Sequence, residues 1–173
     1  MTHSTTHLRQ LKTDALFGKK KHFNAAARIK RYHNWIGIPL VVFNVLLGSA
    51  LYRAMTEQTD VWLKHGAMLL AILAALLSAL QTFFNFNKRV AAHRRIGNDY
   101  LRIYKETKLL LALYSDGAIA NADYTKRIED LEAQAAIVNK SADNFLTSAS
   151  DYARAKQGIR SGEENYTDEE LKL

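Results

Sequence analysis

Apolar positions in this chain are gathered into blocks. Residues 32–52 form 21 consecutive positions without Lys, Arg, Asp or Glu, bounded by Arg31 and Arg53, and residues 66–87 add 22 more. A helix rising 1.5 Å per residue crosses the roughly 30 Å hydrocarbon core in about 20 residues, so each block predicts a membrane-spanning helix. The connection between them is short, which makes the two helices antiparallel neighbours. Two such blocks are more than the interior of a 173-residue globule can hide.

The remaining pattern is helical as well. Leu8, Leu11, Ala15 and Leu16 make a short stripe that predicts an interfacial helix. Phe23, Ala26, Ala27 and Lys30 then lead into the first span as one nearly continuous helix. Pro39 lies inside that span and, lacking an N–H, predicts a bend near residues 35–39. Thr59 or Asp60 is placed to cap the second helix. No proline interrupts Phe84, Phe86, Val90, Ile96, Leu101, Ile103 and Leu110, so one helix is expected over residues 61–114, far longer than the bilayer requires. Ser115, Asp116 and Gly117 signal a turn. Ile119, Tyr124, Ile128, Leu131, Ala135 and Val138 then recur at helical steps opposite Glu129, Asp130 and Glu132, predicting an amphipathic helix of about 18 residues. After a break at residues 144–150 comes a last short helix, and from Gly158 the acidic composition reads as a mobile tail.

The fold class expected is therefore all-α: an integral membrane helical hairpin of two transmembrane helices, the second extended into a cytoplasmic helical bundle. Its parts are a basic N-terminal segment (1–31), the hairpin (32–87), a helical extension (88–157) and the acidic tail (158–173). Averages conceal this organisation, because 48% hydrophobic and 24% charged residues with a mean hydropathy of −0.21 suit an ordinary soluble domain.

Charge sets the orientation. Residues 1–31 carry eight Lys/Arg against Asp14 alone, and residues 88–108 carry seven against Asp99 and Glu106. Between the spans Arg53 and Lys64 are cancelled by Glu57 and Asp60. Basic flanks stay on the cytoplasmic side, so both termini are expected in the cytoplasm of a cell with an inner membrane. Lys19, Lys20, Lys21, Arg28, Lys30, Arg31, Lys88, Arg89, Arg94 and Arg95 are expected at anionic headgroups, at about 1 kcal/mol per charge near the surface. A pI near 9.6 is also a nucleic-acid signal. Here the surplus is explained by the membrane flanks, and residues 109–173 are net acidic, with seven basic and twelve acidic side chains.

Candidate chemistry is sparse. There is no cysteine, hence no disulfide, thiolate nucleophile or thiolate zinc site. The six histidines show no ligand spacing beyond His3 and His7 near the terminus. No nucleophile–base pair, carboxylate pair or phosphate-cradling glycine run is visible, so catalytic residues, metal and cofactors are expected to be absent. Polar residues inside the spans stand out instead. Ser78, Thr82 and Asn85 share one face of the second span with Gln81 beside them, and Asn44 sits near the middle of the first. They suit interhelical hydrogen bonds, Asn44 to Ser78 or Gln81, with Gly37, Gly48, Ala71 and Ala75 allowing close approach. They also suit a wet path shared by several hairpins.

The run Ala91-Ala92-His93-Arg94-Arg95-Ile96-Gly97-Asn98-Asp99-Tyr100-Leu101-Arg102, directly after a span, resembles the SLATT families, two-transmembrane effector domains associated with bacterial nucleotide-second-messenger defence systems. Their pattern is a hairpin, a small and hydrophobic run into a His, a Tyr seven residues on, and a cytoplasmic helical extension. His93 and Tyr100 match that spacing, and Tyr152 lies in the later Tyr-containing helix. The resemblance covers about residues 20–157, although a proline often present before the last helix has no counterpart. It implies an oligomeric inner-membrane effector that permeabilises or disrupts the membrane in an anti-phage response, triggered by an upstream sensor protein or a nucleotide-derived signal. The alternative is a non-catalytic membrane anchor that recruits a partner protein.

Overall fold

The computed structural model describes residues 3–56, 60–167 and 170–172. Among these residues five α-helices run in order: α1 (His3–Thr56), α2 (Val61–Phe84), α3 (Phe86–Ser115), α4 (Asn121–Ala142) and α5 (Ala149–Arg160), followed by a 3₁₀ turn at Glu170–Lys172. No strand occurs among the described residues. The chain divides into two compact units, residues 28–90 and residues 1–27 with 91–173.

The first of these is the hairpin. Its two apolar helices are long enough to span a membrane. They lie antiparallel. Gly37 abuts the Gln81 amide and His33 meets the Phe86 ring at 6.1 Å, while Leu47, Ala50 and Leu51 line a cleft with Leu63, Ala67 and Ala71. Large apolar side chains face outward along both, with Val41 64%, Val45 64%, Leu69 59% and Leu76 57% exposed. Such a surface is far beyond what a water-soluble protein displays and is what hydrocarbon covers. The hairpin is an integral membrane element, as its charge-free blocks predict.

One expectation changes here. α1 is helical throughout, with Pro39 inside it. The single helix expected over 61–114 is instead two, because Asn85 adopts a left-handed conformation (φ 43°, ψ 51°) between α2 and α3. Neither Gly nor Pro marks the break, but Asn is the residue that tolerates this conformation best after Gly. Asn85 N–H still donates to the Gln81 carbonyl (3.2 Å) and Arg89 N–H to that of Asn85 (3.3 Å). Phe84 and Phe86 stack across it at 5.5 Å. Asp60 occupies the N-cap of α2 without a side-chain cap bond; Thr59 lies outside the described residues.

The other unit is a water-facing helical bundle made from the start of α1 with α3, α4 and α5. Its core gathers Leu8, Leu11 and Ala15 of α1, Ile96, Tyr100, Ile103 and Leu110 of α3, and Tyr124, Ile128, Leu131, Ala135 and Val138 of α4. The α4 residues are the ones its periodicity nominates. The N-terminal stripe, expected at a membrane interface, is buried in this core instead, Leu8 completely. Gly117 (φ 66°) ends α3 in a Schellman turn, with Ala118 N–H to the Leu113 carbonyl (2.9 Å) and Gly117 N–H to that of Tyr114 (3.2 Å). The turn lets Tyr114 stack on Tyr124 at 4.2 Å. Ser148 and Asp151 form a capping box that starts α5.

Candidate functional site

Within the bundle, α1 and α3 pack antiparallel through reciprocal glycines. A Cβ on Gly18 would stand 2.8 Å from the Tyr100 ring, and one on Gly97 would stand 2.9 Å from the Phe23 ring. The two backbones come close because each glycine admits the other helix's aromatic. Between these contacts lies a histidine pair: Nδ1 of His22 and Nδ1 of His93 are 3.0 Å apart, and both residues are essentially unexposed. One ring donates its N–H and the other accepts it, so the pair is compatible with two neutral imidazoles of opposite tautomer. Burial, then His93 and Lys21, push the His22 pKa from 6.5 down to about 4, against an upward pull from Asp151.

Tyr100 extends this arrangement. Its ring lies 5.8 Å from His22, and its hydroxyl donates to Asn139 Oδ1 of α4 at 2.6 Å. Burial and then Asp143 raise its pKa. Phe145 meets His93 edge-on at 5.9 Å, and Asn24 Nδ2 donates to the Asp151 carbonyl at 3.0 Å, tying α1 to α5. Tyr152 is half-exposed and stacks on Phe17 at 5.5 Å. Tyr100, Asn139, Phe17 and Tyr152 border a cleft of about 670 Å³ lined also by His7, Asp14, Lys21 and Glu132. His7 Nε2 and a Glu132 oxygen are 2.8 Å apart across it.

The sequence pattern singles out His93, Tyr100 and Tyr152, and the fold brings all three into the same bundle. The chain matches the family described as SMODS and SLOG-associating 2TM effector domain family 4 over residues 5–170. It belongs to that family. The SLATT resemblance is thereby confirmed, and the domain is of a two-transmembrane effector family associated with conflict systems. Neither the curated proteins nor the solved structures provided a match. Three partners of His93, Tyr100 and Tyr152 carried no sequence signal: His22, Asn139 and Phe17 respectively lie far from them in sequence and reach them only through packing.

The basic residues divide. Lys30, Arg31, Lys88 and Arg89 of the hairpin unit are exposed, as are Arg94 and Arg95 of the bundle unit; Arg28 is partly covered. Lys19 and Lys20, expected at headgroups, are instead engaged by carboxylates. Lys19 Nζ meets both oxygens of Glu164 at 2.7 and 2.8 Å, and Lys20 Nζ pairs with Glu163 and, at 3.4 Å, with Glu164. Residues 158–160 belong to α5 and Glu163 and Glu164 are docked, so this much of the expected mobile tail is structured.

In the hairpin, no hydrogen bond among the described residues joins Asn44 to Ser78 or Gln81. Gln81 packs on Gly37, whereas Gly48 faces open space. The Thr82 hydroxyl turns back to the Ser78 carbonyl (3.0 Å) and Ser49 to that of Val45 (3.0 Å). Asn44, Ser78, Thr82 and Asn85 are all exposed on the hairpin surface and Gln81 is partly so.

Proposed function

We propose that this SLATT-domain protein is an oligomeric effector of the bacterial inner membrane, both termini in the cytoplasm, that permeabilises the membrane during an anti-phage response. The observation that carries the reading is Asn44. Its amide lies in the middle of an apolar span, exposed, with no side-chain hydrogen bond among the described residues, and an unsatisfied amide facing hydrocarbon costs several kcal/mol. Neighbouring copies of the hairpin, or water held between them, relieve that cost. One hairpin encloses no channel, so several must surround any path.

The signal, from an upstream sensor protein or a nucleotide-derived ligand, biases a closed assembly toward an open one. The left-handed residue at Asn85 supports such a switch, since a rotation of α3 is more readily taken up where the helix is already broken than along an unbroken one. A second reading, an anchor that recruits a partner protein, draws on Ile137 and Leu146, which are 67% and 80% exposed on the bundle unit.

Purified protein in dye-loaded liposomes separates the two. Wild type should release dye under activating conditions, and Asn44→Leu and Gln81→Leu at matched abundance should release less and protect cells less from phage. Full protection by these variants, with no leakage from wild type, would replace the permeabilising reading with the anchor.

A further inference from the structure

The end of α5 is built to turn the chain back onto α1. Gly162 (φ 82°) forms a Schellman turn in which Glu163 N–H donates to the Gly158 carbonyl (3.1 Å) and Gly162 N–H to that of Ile159 (3.2 Å). Gly158 is buried, and a Cβ there would run into the Glu163 carboxylate. Two glycines thus place two adjacent carboxylates over two adjacent lysines. The ammonium-bearing side chains of Lys19 and Lys20 are only 10% and 11% exposed, and Glu164 bridges both of them. Tyr104 backs the cluster, its ring 5.3 Å from Lys19 Nζ.

Among the described residues beyond Glu164, Tyr166 and Leu171 are 68% and 69% exposed and Thr167 bonds to Glu170 within the segment itself. Its attachment is therefore largely electrostatic, and hydrogen bonds from Lys19 and Lys20 hold the Glu164 carboxyl below its ordinary range against the effect of burial. A carboxylate whose two oxygens meet one ammonium and reach a second presents the same O–X–O edge that a phosphate presents. With the segment lifted, Lys19 and Lys20 would stand beside Lys21 as three consecutive cations without those counter-charges.

We propose that Lys19 and Lys20 form a binding site for phosphate-bearing anions, and that Glu163 and Glu164 are its built-in, displaceable occupant, closing the site in the resting protein. The exchange stands on the ion pairs themselves; its role as a regulator of permeabilisation rests on the function proposed above. Phosphate can be supplied by an anionic lipid headgroup or by a soluble ligand, and the two sources are separable by experiment.

Because the chain has no cysteine, a spin label at Tyr166→Cys reports this segment alone. The full-length labelled protein is placed in phosphatidylcholine nanodiscs, in nanodiscs containing phosphatidylglycerol, and in phosphatidylcholine nanodiscs with inorganic pyrophosphate, at one ionic strength set by chloride. The label should be immobile in the first. It should become mobile with phosphatidylglycerol if headgroups are the source, and with pyrophosphate if a soluble anion is. The paired variant Glu163→Gln/Glu164→Gln should be mobile throughout and bind the effective anion about tenfold more tightly, the effect of removing roughly 1.4 kcal/mol of competition. Lys19→Gln/Lys20→Gln should be equally mobile yet lose anion binding. A label already mobile in phosphatidylcholine, or unmoved by both anions, overturns the proposal. So does equal anion binding by the two paired variants, which is the mark of a purely structural ion pair. None of these readouts depends on dye release.

Discussion

Replacing His22 by glutamine should flatten the pH dependence of stability between pH 6.5 and 4. In the folded bundle His22 is 2% exposed, 3.0 Å from His93, with Lys21 beside it and only Asp151 favouring the charged form. Its pKa falls from 6.5 to about 4. The unfolded chain therefore takes up a proton first on acidification, and the folded state loses ground from pH 6.5 downward until the folded group also protonates near pH 4. Over that interval the drop amounts to about 3 kcal/mol. The contribution is fully present above pH 6.5 and gone at pH 4. Glutamine cannot titrate and its amide can still meet His93 Nδ1, so the variant keeps a partner for that nitrogen while losing the acid penalty. Thermal unfolding in mild detergent, followed by circular dichroism at several pH values, measures the difference between the two proteins. Carboxylates such as Glu164 titrate in both and cancel in that difference. Parallel curves for wild type and His22→Gln across pH 6.5 to 4 would refute the assignment of His22 as a buried neutral imidazole.

Gly18→Ala and Gly97→Ala should each lower stability by about 1–3 kcal/mol in the same unfolding assay, because the overpacked aromatic outweighs the ~1 kcal/mol that alanine gains in a helix. Gly48→Ala, with open space around it, should not destabilise the single chain and should gain up to about 1 kcal/mol of helix propensity, and any loss of oligomer seen by native mass spectrometry would place Gly48 between copies. Asn85→Gly should be tolerated, whereas Asn85→Val should cost about 1–2 kcal/mol, the penalty of a left-handed residue with a branched side chain; equal stability of the two would contradict the observed dihedrals. A reporter inserted between α1 and α2 should read periplasm and one after Leu173 cytoplasm, and the same side for both would overturn the orientation.

The hairpin was legible because lipid imposes a length and a charge rule that composition obeys directly. The α4 core was legible for a similar reason: its stripe has one period and one face. Periodicity does not reveal what covers a stripe, however, which is why Leu8, Leu11 and Ala15 read as interfacial when they are core. His93 and Tyr100 could be marked from the family resemblance, but not the partners His22 and Asn139, since a hydrogen bond across helices depends on packing register. Glu163 and Glu164 were hidden by composition. An acidic, glycine-containing end resembles a solvated tail until the turn at Gly162, with Gly158 making room, aims it at Lys19 and Lys20. Asn85 gave no warning because a single left-handed residue leaves the hydrophobic pattern on either side intact.

Residues 1–27 and 91–173 build one unit from the two ends of the chain, with the hairpin interposed in the sequence. This has a consequence for biosynthesis. When Leu8, Leu11 and Ala15 leave the ribosome, the α3 and α4 side chains that will cover them have not been made. The nascent N-terminus must wait as an amphipathic segment while both spans are synthesised, and only after Val138 has emerged can its apolar stripe be fully enclosed. The bundle therefore matures late, after the hairpin sequence is already available to the bilayer, and a chain truncated before α4 would carry spans but no finished bundle core.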